Sequence, residues 1–147
     1  MDHNLTVKGS VQINAPASKV WDALTNPEII KLYLYGTETI TDWQVGSDII
    51  FQGEYQGHHY KDKGVVRVFN INQELSYAYW SGFSGLADEP ANYSLVTYQL
   101  ASDDAHTSLT WIQKGFSNAE GHKHASEGIQ GMLATIKKIV EDLLVSH

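Results

Sequence analysis

The first thirty residues constrain the fold most, because an alternating strand runs directly into a proline-started helix. Leu5, Val7, Gly9, Val11 and Ile13 alternate with Thr6, Lys8, Ser10, Gln12 and Asn14. A period of two marks a strand with one buried face and one wet face. Pro16 follows, its fixed φ suited to a first helical turn, and Val20, Trp21 and Leu24 then fall on one helical face. Thr25 and Glu28 have capping-box spacing, with Pro27 just inside the new start, so a second short helix is predicted over about 29–34. Gly36 suits its C-terminus.

Beyond Gly36 the chain reads as strands in series. Residues 37–41 are β-prone, 43–47 form a turn, and strands are predicted over 49–55, 59–71, 75–80, 93–100 and 107–114. The connections are mostly short and polar, which implies antiparallel pairing, since parallel strands need long crossovers. A long helix closes the chain from about Ala119 to Val145, with Ile129, Met132, Leu133, Ile136, Ile139, Val140, Leu143 and Leu144 as its apolar stripe. Gly128 and Gly131 interrupt that helix at up to ~1 kcal/mol each against alanine. Close approach of a strand or ligand is one reason to tolerate them, and a frayed helix start is the other. The 12-residue loop from Ser81 to Asn92 carries Phe83 and Leu86, candidate lid residues.

Composition removes several functions. There are no cysteines, so disulfides and thiolate chemistry are absent. Ten basic residues against seventeen acidic ones give a net charge of -7, and Arg67 is the single arginine, which argues against nucleic acid or an anionic membrane as partner. No apolar run approaches the ~20 residues of a membrane span, and the start does not read as a leader, so a cytoplasmic protein is expected. The length predicts one domain over residues 1–147.

Candidate chemistry is sparse. His58-His59 on a strand point to opposite faces, and His122-x-His124 on a helix lie about 200° apart, so neither pair is a preformed chelate and no metal is expected. Nucleotide and hydrolase motifs are absent, and no cofactor is implied. Glu54, His58, His59, Tyr60 and Asp62 cluster near one hairpin. Asp62, sharing a predicted face with Tyr60, is the best single acid–base candidate, against the alternative of a solvated charge between Lys61 and Lys63.

The element order resembles the helix-grip architecture of the START/Bet v 1-like superfamily (SRPBCC). Within it the chain is similar to the family of the activator of Hsp90 ATPase, in its C-terminal domain. The residues that carry the resemblance are Ile13, Ala15-Pro16, Val20 through Thr25, Pro27-Glu28, Val45-Gly46-Ser47, Gly64-x-Val66, Leu75-x-Tyr77, Thr107-x-Leu109 and Glu127-Gly128-Ile129-x-Gly131-Met132-Leu133. Asn72-Gln73 replaces the family's proline after the long strand, and the co-chaperone's separate N-terminal domain is expected to be missing, which argues against Hsp90 activation.

The resemblance implies an α+β fold: a curved antiparallel sheet of six to seven strands wrapped around the C-terminal helix, with two short helices after the first strand. It also implies a cavity between sheet and helix. Alternation together with family pattern sends Phe51, Tyr60, Tyr77, Tyr79, Tyr98 and Trp111 inward, with Tyr33 and Met132 closing the ends. The implied function is binding of a small hydrophobic or aromatic ligand. An enzyme using an inward carboxylate and an Hsp90-type interaction module are the alternatives; oligomeric state is left open.

Overall fold

Strand β1 (Asp2–Ile13) carries the predicted alternation, with Val7, Gly9 and Ile13 buried, Leu5 and Val11 half-buried, and Thr6, Lys8, Ser10 and Gln12 exposed. The computed structural model describes residues 1–34, 36–82, 85–103 and 105–145. Helix α1 (Ala17–Thr25) follows, burying Val20, Trp21, Ala23 and Leu24. Pro16 is its N-cap, extended at φ -68° and ψ 157°, one position before the first helical turn predicted for it. Helix α2 (Pro27–Tyr33) starts with Pro27, and its cap is Asn26, not Thr25. The Asn26 side chain accepts from Glu28 N at 3.0 Å, while the Thr25 hydroxyl turns back to donate to Trp21 O. A proline pushes the residue before it into extended geometry, so the cap falls at that residue. Gly36, at φ +81°, ends the segment by donating its N–H to Lys31 O.

Seven strands form one antiparallel sheet. After β1 come β2 (Glu38–Ile40), β3 (Asp48–Tyr55), β4 (His58–Asn70), β5 (Glu74–Trp80), β6 (Ser94–Ser102) and β7 (Thr107–Phe116). Their spatial order is β1-β7-β6-β5-β4-β3-β2, so each hairpin neighbour in sequence is a neighbour in space and β7 returns to pair with β1. A bulge between Val66 and Val68 shifts the alternation of β4, so Phe69 rather than Val68 continues the inner face. There Phe69 packs edge-on against Trp21 and stacks with Trp43, whose indole donates to Thr25 O.

Helix α3 (Ala119–Val145) packs along the sheet, chiefly over β1. Ile129, Leu133, Ile136 and Val140 are its buried positions. The close approach is made by the strand: a Cβ placed on Gly9 would lie 2.9 Å from Ile129 Cγ1 and 3.2 Å from Leu133 Cδ1. Gly128 and Gly131 are exposed and have no atom within 4 Å of such a Cβ, so neither marks the close approach of a strand. No helix among the described residues is long and apolar enough to cross a membrane.

Candidate functional site

Register builds the site. Leu75, Tyr98, Trp111 and Gly9 lie in one row across β5, β6, β7 and β1, and Val66, Tyr77, Val96 and Gln113 form the next row. Phe51 pairs with Asp62, and Gly53 with Tyr60, across the β3–β4 hairpin. Side chains opposite one another in a sheet share a face, so these rows present their rings to the side on which α3 lies. Between them is a cavity of about 350 Å³ lined by Leu34, Thr37, Phe51, Glu54, Tyr60, Asp62, Tyr77, Tyr79, Val96, Tyr98, Trp111, Gln113 and Met132. Phe51, Tyr77 and Tyr79 contact one another as an aromatic cluster on its wall, with centroids 5.6 to 6.5 Å apart.

The polar groups of the wall are positioned by their neighbours. Gly53 leaves room for the Tyr60 ring: a Cβ there would meet the Tyr60 hydroxyl at 2.7 Å. That hydroxyl hydrogen-bonds Thr37, which itself donates to Leu34 O at 2.6 Å. Asp62 is only 8% exposed. Its Oδ2 accepts from the Tyr79 hydroxyl at 2.6 Å and its Oδ1 from Gly82 N–H at 2.9 Å. It is therefore not the solvated charge that its flanking lysines allowed. Lys61 is exposed, and Lys63 points to the other face, where it pairs with Asp88 at 2.7 Å.

Burial keeps the phenols protonated. It is the main cause pushing Tyr77 well above the ordinary tyrosine range, with the nearby Tyr98, Tyr33 and Tyr79 adding to it. Burial likewise pushes Tyr98 up to about 12, while hydrogen bonding from Tyr77 and Trp111 acts the other way. Tyr79 is raised by burial and then by the Asp62 charge. The cavity thus offers hydroxyl donors and acceptors inside an aromatic wall.

Of the residues expected to line the cavity, Phe51, Tyr60, Tyr77, Tyr79, Tyr98, Trp111 and Met132 do so, and Tyr33 does not. Its hydroxyl instead donates to Ala23 O at 2.7 Å, joining α2 to α1. Leu86 is not among the described lining residues, and its carbonyl accepts from the indole of Trp80, which alternates to the outer face of β5. The other proposed lid residue, Phe83, is outside the described residues. Glu54 is exposed at the cavity's edge, while His58 and His59 are exposed and take no part in the lining. Among the described residues no three metal-ligating side chains converge. Leu34 and Thr37 were missed, since they follow a helix end and belong to no alternating set; the only local signal is the stop at Gly36.

Solved structures share this fold across nearly the whole chain. ChR145 from Cytophaga hutchinsonii is 36% identical, with a TM-score of 0.82 and 99% of each chain covered. MLL2253 from Mesorhizobium loti is 24% identical, with a TM-score of 0.75, covering 93% of this chain and 97% of its own. An Hsp90 activator from Plasmodium falciparum has the same fold at 15% identity and a TM-score of 0.73, covering 93% and 96%. No curated protein matches the chain. Residues 14–141 match the model of the activator of Hsp90 ATPase homolog 1-like proteins, and the chain belongs to that family.

Proposed function

We propose that this protein binds a small, largely apolar molecule, aromatic or lipid-like, in the cavity between the sheet and α3. One observation carries the reading: a space of about 350 Å³ whose wall combines six aromatic rings with a few polar groups held by their neighbours. Aromatic walls supply contact area, and a small number of fixed polar atoms orient a ligand. Native mass spectrometry of protein purified gently from its own cells tests it. A stoichiometric small apolar adduct is expected. A bare mass that stays bare after incubation with mixed lipids and aromatics overturns the reading and moves an Hsp90-type interaction to the front, to be read as a change in Hsp90 ATPase rate.

A second reading is supported by Asp62, a buried carboxyl on the cavity wall. A carboxylate in a dry site is a serviceable general base, so an enzyme acting on the bound molecule is the alternative. Turnover of the identified ligand that disappears in Asp62→Asn, with binding retained, would establish it.

A further inference from the structure

The charge of the cavity wall is one-sided. Its described lining holds two carboxyl groups, Glu54 and Asp62, and no lysine, arginine or histidine. The lysines adjacent in sequence to Asp62 are directed elsewhere: Lys61 is exposed and Lys63 is tied to Asp88 on the outer face. We propose that the cavity selects a cationic ligand, a protonated amine on an aromatic or alicyclic skeleton, over a neutral analogue and against a carboxylate. The inference rests on the binding reading above and adds the chemical class of the ligand.

Three observations support it. Among the described residues Asp62 accepts one hydrogen bond on each oxygen, from Tyr79 and from Gly82 N–H. A carboxylate has about four acceptor sites, so a further donor can be taken on the cavity side. Next, Tyr77, Tyr79, Tyr98, Phe51 and Trp111 line the same space, and aromatic rings attract an ammonium group placed over their faces, more so when water is excluded. Finally, a ligand carboxylate such as that of a fatty acid would lose its water beside Asp62 without gaining a positive partner. Burying an unpaired charge next to a like charge is strongly unfavourable. The net charge of -7 acts in the same direction on approach.

Isothermal titration calorimetry at neutral pH with three probes of one skeleton tests this: naphthylethylamine, naphthylethanol and naphthylacetic acid. The amine is expected to bind about tenfold to a hundredfold tighter than the alcohol, the span of one charge-assisted hydrogen bond, and the acid more weakly than the alcohol. In Asp62→Asn the amine-to-alcohol ratio should collapse toward one. Glu54→Gln, at an exposed position that leaves folding alone, should reduce it by a smaller factor. Equal binding of amine and alcohol, tightest binding of the acid, or a ratio indifferent to both substitutions overturns the charge rule while leaving the cavity reading in place. Binding of none of the three overturns the inference, and the cavity reading falls with it only where the native mass also stays bare.

Discussion

The Tyr79 hydroxyl donates to Asp62 Oδ2 at 2.6 Å, joining β5 to β4 on the inner face of the sheet. The other carboxyl oxygen holds Gly82 N–H, so the same side chain also fixes where the chain leaves β5. A buried acceptor that loses its donor retains its desolvation cost. Tyr79→Phe should therefore lower stability by about 1–3 kcal/mol, measured as the urea midpoint. An unchanged midpoint would mean that water in the cavity replaces the lost bond.

Glycines in the two packing partners should respond in opposite directions. Gly9→Val puts side-chain atoms where Ile129 and Leu133 already lie, and overpacking of this kind costs about 1–3 kcal/mol. Chemical denaturation should show the loss, and a stability equal to the parent would show that α3 can slide off β1 freely.

Gly128→Ala and Gly131→Ala meet no neighbouring atoms on an exposed helix face. Each should stabilise the protein by up to about 1 kcal/mol. A fall in thermal midpoint for either one would place an unrecognised contact on that face.

Alkali should unfold the protein through its buried phenols. Tyr33, Tyr77, Tyr79 and Tyr98 all have their pKa raised, chiefly by burial, Tyr98 to about 12. In the unfolded chain they ionise near pH 10. The native state therefore keeps protons that the unfolded state releases, so stability is whole below about pH 10 and falls as pH rises toward 12. The slope is at most about 1.4 kcal/mol per tyrosine per pH unit. Phenolate absorbance and far-ultraviolet circular dichroism should change together above pH 10. Ionisation of all tyrosines with the fold intact would contradict the burial.

Trp111 separates a cavity from a filled core. Trp111→Ala should weaken ligand binding while costing less than the ~3–5 kcal/mol lost when a fully packed aromatic site is emptied. Full loss of stability with unchanged binding would make Trp111 a core residue.

Local chemistry alone determined the elements. The alternation in β1, the apolar stripe of α3 and the short polar turns between strands are periodic signals, and periodicity depends only on the geometry of each element. The inward sets around Tyr77, Tyr98 and Trp111 followed from the same rule, with the family pattern choosing the face. Local rules also misplaced details where two of them competed, as at Thr25 and Asn26, where Pro27 decided the cap.

What the chain order could not show was which surfaces meet. Gly9 and Ile129 are 120 positions apart, and only docking of α3 on β1 reveals that the tight contact belongs to the strand's glycine and not to the helix's own. Tyr33 has the composition of a cavity residue, yet its hydroxyl is taken by Ala23 O. Asp62 sits between two lysines in sequence, and strand geometry sends them to one face and the carboxyl to the other. Hydrogen-bond partners and burial are properties of assembled neighbours, so these assignments belong to the tertiary structure.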